Sequence, residues 1–399
     1  MRKARWTART AAAVVALVTA GSLAAVAAAG TRAAAAWTSK VVATGLDSPR
    51  GVTITPAGAV LVAEAGHGGD ACWPAGPLGQ ECLGTTSQIA SVDPASGAAT
   101  PLAKGLLSES VTLEGITGAD GVSAFGKRVL GTIAEAPQEF SHLTCDGQPA
   151  DCTSVLAAAK AQAGQLFQVG SGGSMQPLAG LGERGYDLIA SDSALGDLAD
   201  GAHANPYGVL AIAGGAWVAD SGANLIDWVP TGGAIDVASH VPDPAGPGFP
   251  ADAVPTCVAM LRGNVFSADL AGRLWKRAGH GGSLVPTQVP VTDGSGKQLI
   301  HHVTGCASDG LDHLYLVDMW GTPGPPIPAG PDSAAGTGSV VELTRNGNAT
   351  VLAAGLDFPN GIALAKDGSL YVTVGSTCTA SGTPFPYCAK GGELLRLTP

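Results

Sequence analysis

From residue 39 to the C-terminus, apolar and polar residues alternate in short runs separated by turns rich in Gly, Pro and Asp. A period of two marks strands with one buried face, and tight Gly-bearing turns between them mark antiparallel hairpins. The hairpins recur. Residues 45–52 (GLDSPRGV) and 355–362 (GLDFPNGI) are near copies at opposite ends of the chain, each leading into strand, Gly turn and strand (TITPAGAVLVAEAG and ALAKDGSLYVTVGS). Further copies lie at 205–222 (NPYGVLAIAGGAWVADSG) and 255–271 (PTCVAMLRGNVFSADLA), with a degenerate one at 303–318 and the least regular at 112–135. Third strands are read at 87–93, 164–170, 224–229, 272–277, 339–344 and 392–397, and fourth strands at 99–106 and 349–356. This repetition predicts an all-β fold, a six-bladed β-propeller of four-stranded antiparallel blades.

The last unit stops after its third strand at Thr398-Pro399, whereas 39–46 (SKVVATGL) precedes the first unit and matches the fourth strand ATVLAAGL. The N-terminal strand is therefore expected to complete the last blade, leaving no open edge. The propeller is assigned to 38–399. Ahead of it, residues 1–29 join a basic start (Arg2, Lys3, Arg5, Arg9) to an apolar, Ala-rich stretch ending in an A-x-A site at Ala27 and Ala29. That reads as a cleavable secretory signal, with 30–37 as a short linker, and places the protein outside the cell. No later stretch would span a bilayer. The segment 183–204 is the one read as a helical insertion, at the junction of blades two and three.

The chain carries 21 basic and 32 acidic residues, a net charge of -11; loss of 1–29 leaves 17 basic residues and a net charge of -15. Such a surface repels nucleic acid and anionic membranes, which excludes nucleic-acid-binding functions. The eight cysteines suit an oxidising compartment. Six form close pairs in predicted loops: Cys72 with Cys82, Cys145 with Cys152, and Cys378 with Cys388, at spacings unlike zinc ligation. Cys257 and Cys306 hold nearly equivalent positions on the first strands of neighbouring units. Spacing alone leaves the connectivity open; the repeat geometry favours these four bridges.

In a propeller the first strands line a central channel. One face collects the loops that enter them and the connections from second to third strands. Those connections are long in blades one, two, five and six (65–86, 136–163, 319–338, 375–391) and short in three and four, so they wall one side of the face. Loops held on a rigid scaffold are where function concentrates. The turns before the first strands offer Arg50, Glu114, Asn205 with Tyr207, Thr256, His302 with Thr304, and Asn360. Of these, Arg50, Glu114, Asn205, Tyr207, His302 and Asn360 are the candidate ligand contacts. The ends of the second strands add Glu64, Glu135, Asp220, Asp269 and Asp318. Carboxylates beside Asn side chains would suit a hard divalent cation such as calcium, with Glu114, Asn205, Asp220, Asp318 and Asn360 as candidate ligands. The strand-end acids read first as caps of the turns that follow them. No G-x-S-x-G elbow or phosphate-binding Gly loop opens a helix, and His67, His142, His203, His301 and His302 fit no metal motif. No catalytic residue is assigned.

The stretch NPYGVLAIAGGAWVADSGANLIDWV (205–229) resembles NHL-type propeller repeats. The wider order of features is similar to the ScyD/ScyE family of secreted proteins: GLDSPRGV before VAEAGHGGD, NPYGV with VADSGAN, a P-T-x-V-A blade and a final P-x-G-I-A unit. The resemblance covers most of 40–399 and implies an exported six-bladed propeller without an established reaction. A second resemblance is local. FPNGIA (358–363) and LEGI (113–116) are similar to the P-N-G and E-G segments of gluconolactonase/regucalcin-like propellers. That likeness implies Asn360 and Glu114 as ligands of a catalytic divalent metal, although the two segments fall on blades two and six, in a different order from that family's.

The leading expectation is a secreted, non-enzymatic propeller that binds a small molecule or a cell-envelope partner on its loop-walled face. The alternative is a divalent-metal hydrolase of a lactone or similar ester, with the metal at the channel mouth polarising a carbonyl or activating water. A cofactor-using dehydrogenase, drawing on Arg50 and the histidines, ranks third.

Overall fold

In the computed structural model the described residues are 37–75, 79–112, 115–192, 195, 202–245, 252–278, 287–321, 333–381 and 386–399. The segment read as a secretory signal lies outside them. The chain enters on β1 (Thr38–Leu46) and then builds blade one from β2 (Pro49–Ile54), β3 (Val60–Glu64), β5 (Gln80–Val92) and β6 (Ala99–Val111), with β4 (Ala71–Pro74) and β7 (Gly115–Thr117) added to the upper ends of β5 and β6. Blade two comprises β8 (Ala119–Phe125), β9 (Arg128–Ile133), β10 (Gln165–Val169) and β11 (Met175–Gly180). Blade three comprises β12 (Pro206–Ile212), β13 (Gly215–Asp220), β14 (Leu225–Pro230) and β15 (Asp236–His240). Blade four follows with β16 (Pro255–Leu261), β17 (Asn264–Asp269), β18 (Leu274–Ala278) and β19 (Thr287–Val289), and blade five with β20 (Val303–Ser308), β21 (His313–Asp318), β22 (Gly338–Thr344) and β23 (Ala349–Leu356). Blade six is β24 (Ile362–Leu364), β25 (Leu370–Val374) and β26 (Gly392–Thr398), completed by β1.

The expected closure is present. β1 runs antiparallel to β26 from Thr38 opposite Thr398 to Leu46 opposite Gly392, and the two threonine hydroxyls lie 2.7 Å apart. Each blade is apolar on both faces, so the cores sit between neighbours: Leu61, Val122, Ile133 and Phe167 join blades one and two, and Val52, Val62, Tyr371 and Leu394 join six to one. The interleaving of blades six and one across the chain ends makes the ring continuous.

All four expected disulfides are formed, pairing Cys72 with Cys82, Cys145 with Cys152, Cys257 with Cys306 and Cys378 with Cys388. Cys72 and Cys82 face each other across the β4–β5 pair. Cys257 and Cys306 tie the inner strands of blades four and five over a sequence separation of 49, worth about 4 kcal/mol in a chain-entropy treatment of a loop that long. Cys378 and Cys388 staple the connection between β25 and β26, and both are fully buried. The carbonyl of Cys378 accepts the Ser48 N–H at 2.8 Å, so this bridge also anchors the turn into β2. Among the described residues no helix is long and apolar enough to cross a membrane.

Four sequence expectations need correction. The first concerns the paired cysteines, which are not all on irregular loops. Cys72 and Cys82 lie on strands, Cys152 opens a helix, and Cys388 ends a 3-10 turn, Pro386–Cys388. That turn is set by its neighbours: Pro386 fixes its own φ, and the Cys388 carbonyl accepts the Gly391 N–H at 2.9 Å to lead into β26. Second, the 136–163 connection contains a helix, α1 (Cys152–Gln162), so the insertion at blades two and three, α2 (Leu181–Ser191), is not the one helix of the chain. The run TSVLAAAKAQ is rich in good helix formers but scatters its apolar residues around the helix, leaving no 3.6-residue stripe to read. Third, the 65–86 connection is a sheet extension, because β5 continues upward through Gly84 to pair with β4 and with the top of β6. Fourth, the inner strand of blade two is β8, beginning at Ala119; Glu114 lies outside the described residues, ahead of the extension strand β7.

Candidate functional site

Every inner strand carries one residue at the channel mouth followed by a small residue. Gly51-Val52, Asp120-Gly121-Val122, Tyr207-Gly208-Val209, Thr256-Cys257-Val258, Thr304-Gly305-Cys306 and Asn360-Gly361-Ile362 together line a central cavity of about 60 Å³, and Arg50 holds the same position in blade one ahead of Gly51. The first member of each triplet makes a ring. Its packing explains the glycines, because a Cβ on Gly361 would stand 2.5 Å from the Arg50 carbonyl oxygen and 2.8 Å from the Val52 nitrogen.

Polar contacts bar this ring across the channel. The Asn360 amide nitrogen donates to the Tyr207 hydroxyl at 2.6 Å, from blade six to blade three. Arg50, 8% exposed, donates through Nη2 to the Ile116 carbonyl of β7, and its charge acts on the Tyr207 hydroxyl. Its Nε stands 3.5 Å from Asp120 Oδ1, an ion pair without hydrogen-bond geometry. Asp120 is 1% exposed, and among the described residues neither of its carboxylate oxygens has a hydrogen-bond donor. Burial pushes its pKa up to about 7 against the pull of Arg50. Thr256 and Thr304 turn their hydroxyls onto the carbonyls of Val303 (2.7 Å) and Pro359 (3.1 Å), closing the ring on its far side.

The ring thus gathers Arg50, Tyr207 and Asn360 from the candidates and leaves Asn205 and His302 outside. Asn205 precedes the ring position by two residues, and its backbone N–H donates to Asp220 Oδ1 at 2.7 Å. His302 is buried against blade five. Its N–H donates to Asp318 at 2.6 Å, its ring stacks on Trp320 at 4.5 Å, and burial holds it below the usual imidazole range. Glu64 takes the Asp47 N–H at 2.7 Å in the same manner, and Asp318 also takes that of His301 at 2.9 Å. These strand-end acids clamp the backbone that enters the inner strand. Asp269 instead binds its own following turn through Arg273 and Trp275. Glu135 does not belong with them, because the blade-two counterpart in the strand pairing is Ile133, opposite Ala119. Among the described residues no group of three or more His, Cys, Asp or Glu side chains is arranged to hold a metal ion.

A larger cavity, about 580 Å³, opens on the same face over blades one and two. Its walls are Pro74, Ala75 and Glu81 from the ends of β4 and β5, the tops of β6 and β7, the 135–142 segment and Tyr186 of α2. Four glutamates enter it: Glu81 and Glu109 from the extension, Glu135 and Glu139 from blade two. Among the described residues that line it, none is Lys or Arg. His142 and His203 stand at the rim, more than half exposed, with His142 3.6 Å from Glu81 and His203 2.9 Å from Glu139. Phe140 and Tyr186 supply aromatic surface, and the buried carboxamide oxygen of Gln138 has no donor among the described residues. Glu135 holds a left-handed backbone (φ 67°), unusual for a residue with a side chain. Burial, then the charges of Glu139 and Glu109, push its carboxyl well above the usual carboxylate range.

Sequence reasoning missed Asp120, Glu81, Glu109 and Glu139. The first was visible: D-G-V at 120–122 repeats R-G-V at 50–52 and Y-G-V at 207–209. The glutamates carry no such signal, since three segments distant in sequence bring them together.

The buried acids give a pH prediction. Burial raises Glu64, Asp120 and Asp220 to about 7 each. Unfolded carboxylates titrate at about 4, so the folded state binds these protons more tightly, and stability falls as pH rises from the unfolded toward the folded value. The thermal midpoint is expected to be higher at pH 5 than at pH 8; a midpoint that rises over that interval would contradict the burial of these groups.

A scan against protein-family models finds no match for the chain, and neither does a search of curated proteins. Solved structures do match. One is a protein of unknown function from Bacteroides thetaiotaomicron (11% identity over 91% of this chain and 76% of that one, TM-score 0.53). Another is a gluconolactonase from Xanthomonas campestris (7% identity, 90% and 88% covered, TM-score 0.50). A third is virginiamycin B lyase from Staphylococcus aureus (11% identity, 91% and 99% covered, TM-score 0.46). At such identities the likeness to the first two shows the propeller fold alone.

Proposed function

We propose that this protein is an exported β-propeller that binds a small organic cation, a molecule with one or more amine groups, in the acidic pocket over blades one and two. One observation carries the reading: a cavity of about 580 Å³ receives four glutamates and, among its described lining residues, no Lys or Arg. Its volume falls among those of small-ligand sites, and its carboxylates converge beside an aromatic wall of Phe140 and Tyr186. Carboxylates crowded in a partly buried space repel one another, and a cation relieves that repulsion. An ammonium group also donates hydrogen bonds, which the carboxylates and the Gln138 oxygen accept. The Cys72–Cys82 and Cys145–Cys152 bridges stiffen two of the walls, reducing the ordering cost of binding. The four bridges suit an oxidising compartment, and the similarity of repeat order to ScyD/ScyE proteins supports the exported setting.

Metal-dependent lactone hydrolysis at the channel mouth fits the residues less well. Asn360 is committed to Tyr207, Asp220 and Asp318 to backbone N–H groups, and the guanidinium of Arg50 already faces Asp120. The test is the thermal midpoint of the oxidised protein with millimolar spermidine, putrescine or calcium. The amines are expected to raise it in order of charge. A shift with calcium and none with either amine would overturn the proposal in favour of a metal site.

A further inference from the structure

We propose that Arg50 is a positioning residue for the acidic pocket: from the channel ring it holds β7, the strand whose Gly115 and Thr117 line the cavity. The functional meaning rests on the pocket reading; the mechanical part stands on geometry alone.

β7 is three residues long and pairs on one side with β6, through Gly115–Val111, Ile116–Ser110 and Thr117–Glu109. Among the described residues no strand pairs with its other edge. A short edge strand of this kind is held weakly by its ladder. The carbonyl of Ile116 takes the Nη2 donor of Arg50. The guanidinium is fixed in turn, since it is 8% exposed and faces Asp120 across an ion pair of 3.5 Å. β7 also reaches one of the pocket's carboxylates, because the Thr117 hydroxyl donates to Glu109 at 3.4 Å. A displaced β7 therefore disturbs that carboxylate and the Gly115 and Thr117 wall. Arg50 connects ring and pocket through one planar, multi-donor group, which Lys cannot fully reproduce.

Charge alone predicts the opposite of positioning. Removing a cation near an acidic pocket strengthens the binding of another cation; loosening β7 weakens it. The full-length oxidised protein, Arg50→Met, Arg50→Lys and the Arg50→Met/Asp120→Asn pair, which leaves no unpaired buried carboxylate, are compared in two measurements. In hydrogen exchange, the amides of 115–117 are expected to exchange about tenfold faster in both Met variants, the equivalent of one charge-assisted hydrogen bond, with partial recovery in Arg50→Lys. In spermidine titration, the Met variants are expected to bind about tenfold more weakly. Unchanged exchange at 115–117, or spermidine binding as tight as or tighter than wild type, overturns the proposal. If the wild type itself does not bind spermidine, the pocket reading fails, and exchange alone decides whether Arg50 holds β7.

Discussion

Gly361→Ala is expected to destabilise the folded protein by about 3 kcal/mol or more, an overpacking cost at the upper end because nothing nearby can yield. The atoms a methyl group would meet are all backbone: the Arg50 oxygen at 2.5 Å, the Val52 nitrogen at 2.8 Å and the Gly51 Cα at 2.9 Å. The Arg50 carbonyl cannot retreat, because the Thr373 hydroxyl holds it at 2.6 Å. The same construction recurs around the ring, where the Thr132 hydroxyl holds the Tyr207 carbonyl at 2.7 Å against Gly121. Gly368, in an exposed turn with no atom near its Cβ position, is the comparison. Its left-handed φ of 84° makes Ala there cost about 1 kcal/mol by conformation alone. Denaturant unfolding measures both. Equal losses at the two positions would refute the close inter-blade contact that sets the diameter of the channel.

Glu135→Gln is expected to move stability and binding in opposite directions. In the folded protein the Glu135 carboxyl is pushed well above its ordinary range, by burial first and then by Glu139 and Glu109. Its proton is therefore held more tightly in the folded state, and ionisation destabilises the fold as pH rises above the unfolded value of about 4. Gln imitates the protonated acid and removes that cost. The variant should melt a few degrees above wild type at pH 8, with the gap closing by about pH 4. Spermidine affinity should fall by about tenfold or more, because a bound ammonium draws the Glu135 carboxyl into its ionised form and Gln offers it no charge. A merely structural Glu135 would leave affinity unchanged. Destabilisation with lost binding would instead mean that Gln breaks the local packing, and the pocket would then have to be tested through Glu109→Gln.

The propeller was legible because its signals are local and repeated. Alternation, Gly turns and the near copies at 45–52 and 355–362 each occur within a few residues, and β1 could be matched to a fourth strand by its own sequence. The bridges were legible as pairs, but not the elements that carry them: nothing in the composition around Cys388 separates a 3-10 turn from a plain loop. The channel ring was half legible. Arg50, Tyr207 and Asn360 precede a glycine on inner strands, but in blade two the E-G of 114–115 stood ahead of the D-G of 120–121 and drew the register too early. The pocket was not legible. Its outer wall depends on β5 and β6 running past the top of the blade, and register shifts between Gly84 and Ser87 break the period of two there. Glu109 then reads as the tail of a loop, although pairing with Thr117 turns it toward the cavity. Glu135 reads as a strand end, and only the Ile133–Ala119 pairing shows it lying beyond the strand. Convergence of Ala75, Glu81, Glu109 and Thr117 with the 135–142 segment and Tyr186 is a tertiary event, and no window of sequence contains it.

Calorimetric titration of spermidine into the oxidised wild type and the Glu109→Gln/Glu135→Gln pair, at low and at moderate salt, tests the acidic pocket most directly. The prediction is one site per chain in the wild type, weakened by salt and lost in the double variant while its fold persists. No heat in the wild type, or equal binding by the double variant, would contradict the pocket as the seat of function.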